Sequence, residues 1–259
     1  MAIINKQKTH WGTKQKTWIS IYSNLDWVDS DFIDKKEFTI LDLLKLNGHI
    51  SDTGGYDIKL WEKLVHEINS YSNIDQISNS KILEIGCGSG ALLVYFNNNN
   101  NLIFGLDSSD TLLSVAKKVI SNGIFFNGEA KLLPYDNDFF DLILSHSCFQ
   151  YFPNNVYMMK VIDEATRTLK SGGRMVLTDL CDAEKEEKYM LYRKKILGYK
   201  KYTKLYTGEK NTNLYHLHIH KNQITDSLEK KFSNITIDNA FKRGDEDDYF
   251  RFNLFCTKK

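Results

Sequence analysis

The sequence predicts an α/β domain in which helices cross between the strands of a parallel sheet, and three observations carry that reading. From Lys81 onward, short apolar runs alternate with helix-compatible stretches, the order produced by strands joined through crossover helices. Residues 81–90, K-I-L-E-I-G-C-G-S-G, set the apolar Ile82, Leu83 and Ile85 directly against glycines at 86, 88 and 90, a buried strand broken by a turn. A length of 259 residues suits one well-cored domain with additions, or two small ones.

Ahead of the sheet, residues 1–78 read as an N-terminal helical cap. They hold Trp11, Trp18, Trp27 and Trp61, with Tyr22, Phe32 and Phe38 among them, and show no strand-like alternation. Trp61, Leu64, Val65 and Ile68 recur at i, i+3, i+4 and i+7, one apolar face of a helix. Residues 51–55 read as a turn. In the core, 79–181, strands are expected at 81–85, 102–106, 124–126, 141–145 and 174–179. Helices are expected near 90–96, 109–121 and from 153 or 155 to 169, with an irregular piece at 130–138. Ser171, Gly172 and Gly173 are expected to end the long helix. Residues 182–220 form a charged insertion read as a helical lid, carrying Tyr189, Tyr192, Tyr199, Tyr202, Tyr206 and Tyr215. A helix near 221–232 and strands near 234–241 and 249–257 complete the core in 221–259.

Acidic and basic residues, 33 against 34, give a net charge of +1. So even a balance shows no electrostatic footprint for duplex nucleic acid or an anionic membrane. Cys87, Cys148, Cys181 and Cys256 are scattered without C-x-x-C spacing and read as reduced thiols of a cytoplasmic protein. No apolar run reaches membrane-spanning length, and the lysine-dotted N-terminus lacks the apolar centre of a signal peptide.

The glycine turn is where chemistry is expected. Strand, turn and helix together present backbone N–H groups with no Cβ in the way, beside the positive end of a helix dipole. Such a turn holds the polar tail of a nucleotide-like cofactor, or simply closes a strand against a helix. Asp107 ends the second strand 21 residues after Gly86, where a carboxylate accepts both hydroxyls of a ribose. Gly86, Gly88 and Ala91 fit the dinucleotide pattern G-x-G-x-x-A. Glu84, Gly86, Gly88 and Gly90 fit better the acid-then-alternating-glycine pattern of S-adenosylmethionine enzymes. At the end of the fourth strand, Ser145, His146, Ser147 and Cys148 fall at the edge where open α/β sheets bind ligands. His146 is the expected acid or base, since its ring titrates near neutrality; a histidine bonded only to the backbone is the bland alternative. Tyr151 either lines an acceptor pocket or packs under the next helix. His216, His218 and His220 alternate, which on a strand places them on one face; with no carboxylate among them, a metal site is not expected.

Five linked stretches, E-I-G-C-G-S-G, G-L-D-S-S, N-G-E-A-K-L-L-P-Y, F-F-D-L-I-L-S and L-K-S-G-G-R-M-V-L-T-D, together resemble the class I S-adenosylmethionine-dependent methyltransferases, in particular their small-molecule branch. The resemblance covers about residues 79–180. It implies a doubly wound, Rossmann-like sheet of seven strands with the last antiparallel. It also implies that the glycine turn (Gly86, Cys87, Gly88, Gly90) holds the methionine part of the cofactor, Asp107 and Ser108 the ribose, Glu129 the adenine amino group and Ala130 the ring. Tyr56, Glu84 and Ser145 complete the expected cofactor set, and Gly88 is expected to let the backbone approach the cofactor closely. Glu129 and Ser171 stand where the family more often has aspartate and proline. The Asn/Asp-Pro-Pro-aromatic motif of enzymes that methylate exocyclic amines of bases is absent after the fourth strand.

The expectation is methyl transfer to an O or N atom of a small-molecule acceptor, with no nucleic acid or membrane partner. The rivals are RNA or protein methylation by the same class, and a non-catalytic S-adenosylmethionine-binding scaffold.

Overall fold

The expected strands become one sheet in the computed structural model, which describes residues 22, 25, 30–51, 54–72, 78–98, 100–206, 216–240 and 250–259. Trp11, Trp18, Trp27 and Tyr215 fall outside these. Two short helices, α1 (Ser30–Ile33) and α2 (Ile40–Leu46), come first. A two-stranded hairpin, β1 (Ile50–Ser51) with β2 (Gly54–Gly55), then forms where a turn was expected. Helix α3 (Ile58–Ser72) buries Trp61, Leu64, Val65 and Ile68, the face its spacing requires.

Then follow β3 (Lys81–Ile85), β4 (Leu102–Asp107), α4 (Asp110–Val119), β5 (Ile124–Asn127), β6 (Phe140–His146), α5 (Asn155–Thr168) and β7 (Leu169–Cys181). After them come α6 (Glu186–Tyr206), α7 (Lys221–Leu228), β8 (Phe232–Asn239) and β9 (Arg251–Lys258). The sheet order is β5-β4-β3-β6-β7-β9-β8. Pairings through β7 are parallel, and β9 runs antiparallel to both β7 and β8. This is the seven-stranded, doubly wound sheet with an antiparallel last strand. Side chains alternate across it. Ile82, Leu142 and Leu144 pack with α3 and α4 on one face, whereas Leu83, Ile143 and Leu177 pack with α5 and α7 on the other. With both faces covered, the central strands have no polar face, which explains their near-continuous apolar runs.

Three local expectations need correction. The helix expected at 90–96 is only a 3-10 turn at Leu93–Tyr95. Ala91, Leu92, Leu93 and Phe96 are all buried, so the segment serves the core on every side and forms no amphipathic helix. Residues 171–173 do not cap α5, whose last residue, Thr168, passes directly into β7. They lie instead within a register shift of β7 against β6, with Gly172 at φ 77°. The helix expected at 221–232 stops at Leu228 because β8 takes up the chain at Phe232. Helix α6 is interrupted at Gly198, whose φ of 71° and ψ of 157° are not helical. Among the described residues no helix is long and apolar enough to cross a membrane.

Candidate active site

The glycine turn leaves β3 at the C-terminal edge of the sheet and is wired into the protein at every residue. Gly86 and Cys87 donate their N–H groups to the Leu106 carbonyl at 2.7 and 3.1 Å, and Gly90 donates to the Cys87 carbonyl at 2.9 Å. Gly88 N–H donates to Asp107 Oδ2 at 2.9 Å, and Ser89 N–H to Asn47 Oδ1 at 2.8 Å. The open nest of free donors expected at residues 86–90 is therefore absent: these backbone N–H groups are already used. What the turn gives the pocket is its missing side chains. Gly86 has φ 76°, and a Cβ there would strike the Cys148 sulfur. Gly88 has φ 52°, and its Cβ would strike the Asn47 amide. Gly88 thus makes room for the N-terminal element, a use the sequence did not suggest.

Asp107, at the end of β4, accepts from Gly88 N–H and also from Ser109 N–H at 2.8 Å through Oδ1. Burial raises its pKa, against the pull of backbone N–H groups from Ser109, Gly88 and Ser108. Glu84 is buried on β3, and its Oε2 has no hydrogen-bond partner. Burial, followed by the nearby Asp107, pushes this carboxyl well above the usual range.

Across the pocket, His146 ends β6 with Nδ1 2.9 Å from Thr178 Oγ1 on β7. Three rings surround it: His49, Tyr56 and Trp61, with centroids at 5.1, 5.5 and 5.4 Å. The hairpin delivers two of these, because Tyr56 N–H donates to the His49 carbonyl at 2.8 Å. Tyr22 donates its hydroxyl to the Tyr151 hydroxyl at 2.8 Å, while Ser109 Oγ holds the Tyr22 carbonyl at 2.9 Å. Burial raises both phenol pKa values, so neither ionises near neutrality.

Behind Tyr151 lies His216, ring centroids 5.5 Å apart, and then the buried pair Arg251–Asp179 at 3.1 Å. Burial, and next the Arg251 charge, hold His216 well below the ordinary histidine range. His216 and His218 both face Tyr189 of α6, whereas exposed His220 precedes α7. The segment makes one isolated bridge, Ile219 to Asp182, so the strand expected to carry the three histidines does not form.

One pocket joins these parts. Of the expected residues, Gly86, Gly88, Asp107, Ser108, Ala130, His146 and Tyr151 line it. The others sit around it. Tyr56 packs on the far side of His146, Cys87 is buried beneath the turn, and Gly90 faces Ala116. Ser145 Oγ ties β6 to β3 by donating to the Ile85 carbonyl at 2.9 Å. Glu129 is engaged by Lys131 at 2.6 Å. Ser147 and Cys148, placed by the sequence at the ligand-binding sheet edge, also line it, whereas sequence reasoning missed Asn47, His49 and Phe152 in the wall. Only the Asn47-Gly48 pair after α2 carried any signal, and that signal was of a turn.

Residues 83–177 match the family model of the methyltransferase domain. The chain is 34% identical over 128 residues to demethylmenaquinone methyltransferase of Thermotoga maritima, a match covering 49% of this chain and 52% of that one. It thus spans about half the length of that relative. Against phosphoethanolamine N-methyltransferase of Plasmodium falciparum it is 26% identical over 198 residues, covering 73% of this chain and 71% of that one. In fold, it resembles magnesium protoporphyrin IX methyltransferase of Synechocystis PCC 6803, solved with bound S-adenosylhomocysteine. There the TM-score is 0.60 at 13% identity, over 95% of this chain and 100% of that one. Sheet order, glycine turn and Asp107 agree with the matched domain: residues 83–177 carry the methyltransferase domain, and in them the chain resembles the class I S-adenosylmethionine-dependent methyltransferases.

Proposed function

We propose that the protein transfers a methyl group from S-adenosylmethionine to an oxygen or nitrogen atom of a small-molecule acceptor. One observation carries the reading: Gly86, Gly88, Asp107 and Ala130 share a single pocket with His146 and Tyr151, so a cofactor side and an acceptor side adjoin.

The residues fit the cofactor. A carboxylate offers about four acceptor positions; Asp107 uses two on the Gly88 and Ser109 N–H groups and is also drawn to the Ser108 N–H, which still leaves a position for a ribose hydroxyl. Glu84 does not line the pocket, and its buried Oε2 has no hydrogen-bond partner among the described residues.

When bound, the cofactor supplies an already activated methyl group on its sulfonium. The protein's own residues then have to align the acceptor and exclude water. His146 is the group that takes a proton from the acceptor. With the Thr178 hydroxyl directed to the Ser145 carbonyl at 3.5 Å, Thr178 accepts from His146 Nδ1–H, and Nε2 becomes the basic nitrogen. The un-ionised Tyr22 and Tyr151 hydroxyls position the acceptor by hydrogen bonding. Tyr22, Asn47 and His49 of the N-terminal segment line the pocket beside it. The small-molecule reading is supported by the relatives, whose names specify demethylmenaquinone, phosphoethanolamine and magnesium protoporphyrin IX.

Calorimetry with S-adenosylmethionine, and transfer of its labelled methyl group to a panel of small phenols, amines and carboxylic acids, test this reading. Asp107→Ala is expected to weaken cofactor binding by roughly 1–3 kcal/mol. Binding of NAD in place of S-adenosylmethionine would overturn the assignment.

A further inference from the structure

We propose that helix α6 is a docking surface for an anionic lipid bilayer, placed to bring a lipid-borne acceptor to the pocket. The value of docking to catalysis rests on the methyl-transfer reading; its test does not.

The first observation is charge. Residues 188–206 contain seven of the chain's 34 basic residues and none of its 33 acidic ones. The near-neutral whole therefore hides one strongly cationic element. The second is where those charges sit. Lys188, Lys194, Lys195 and Lys200 are exposed, and Lys188, Leu191 and Lys195 follow one another at i, i+3 and i+7, on one helical face. Leu191 is 62% exposed among these lysines, and Tyr199, just past the break at Gly198, is 71% exposed. Lysines beside an aliphatic and an aromatic side chain suit the headgroup boundary of an anionic bilayer: the apolar groups enter it and the ammonium groups meet lipid phosphates.

The third observation is the inner face of the same helix. Tyr189 is buried against His216 and Phe250, with ring centroids at 6.2 and 5.6 Å, and Tyr192 lies 5.4 Å from Phe250. His216 in turn backs Tyr151 in the pocket wall. The lysine face and the acceptor side of the pocket are thus outer and inner layers of one wall.

A nucleic acid strand would use exposed rings as stacking platforms. Tyr199 is the one exposed ring among the described residues of α6 and already lies under the Lys194 ammonium at 5.4 Å, while the exposed apolar group between residues 188 and 195 is the aliphatic Leu191, which cannot stack a base. That favours lipid.

The test is sedimentation of the full chain with vesicles of phosphatidylcholine alone, and with about one third phosphatidylglycerol. Binding is expected only to the anionic vesicles and is expected to fall as salt rises. With roughly a fivefold contribution from each lysine near such a surface, the triple variant Lys194→Gln, Lys195→Gln, Lys200→Gln should bind on the order of 100-fold more weakly. Leu191→Ser should bind roughly tenfold more weakly. Thermal melts confirm that both variants fold, and cofactor titration of the triple variant should match the parent chain. No sedimentation with anionic vesicles, equal binding by the triple variant, or capture by RNA or an acidic protein without vesicle binding would each overturn the proposal. Failure of the cofactor titration in the parent chain would instead count against methyl transfer alone.

Discussion

Asp107 sets how the pocket responds to acid. Its folded pKa is raised, by burial first, so as pH falls it takes up a proton earlier than an ordinary aspartate. Only the ionised carboxylate can accept from a ribose hydroxyl while also holding the Gly88, Ser109 and Ser108 N–H groups. Cofactor affinity is therefore expected to weaken as the pH is lowered from neutrality toward 4, with the midpoint above the usual aspartate value of about 3.9; calorimetry across that range checks it. Stability of the unliganded chain moves the opposite way. Carboxyls with raised folded pKa values, Asp107 and Glu84, stabilise the fold below their unfolded values, and that contribution is lost as pH rises through the folded ones. Asp107 was legible from its spacing after the glycines, because strand length and turn fix where that residue must fall. Asn47 and His49 were not, since they reach the pocket through tertiary packing of an element about forty residues upstream.

Among the elements, β9 carries a load that sequence reading did not assign to it. Arg251, its first residue, donates to the carbonyl and carboxylate of Asp179 on β7, and Asp179 stands at φ 64° where the register of the two strands shifts. Removing one partner of a buried pair leaves the other charge uncompensated. Arg251→Leu should destabilise the fold by about 3–5 kcal/mol, seen as a lower urea midpoint, and Asp179→Asn added to it should recover part of the loss. Strand positions were readable because a strand covered on both faces must be apolar along its length. The segment after the glycine turn was not, because its apolar residues satisfy helix and core alike and only packing decides between them. Alternating histidines misled for a related reason: their spacing is real, but a single bridge does not make a strand.

For the whole molecule, the overall net charge was a poor guide, because it averages α6 with a more acidic remainder. The fold class was legible throughout, since alternating apolar runs leave few topologies open. The acceptor side was not, because it is built where Tyr22, Asn47, His49 and Tyr56 meet the sheet edge. Those residues touch three places together: the glycine turn through Asn47, the start of α4 through the Tyr22 carbonyl, and the acceptor wall through Tyr22, His49 and Tyr56. Whatever orders this segment from one side orders it for the other, so the two ligands are thermodynamically coupled, and the coupling is reciprocal. Each should tighten the other's binding by the same factor, measurable by titrating each ligand in the presence and absence of the other. Equal affinities in both titrations would show that the segment is already set. On the proposed reading the cofactor occupies the glycine-turn side of the pocket, walled by Asn47 and Tyr22, and is expected to bind before the acceptor and leave after the product. Steady-state kinetics should accordingly show the cofactor as first substrate and its demethylated form as last product, with release, rather than transfer, setting the turnover rate.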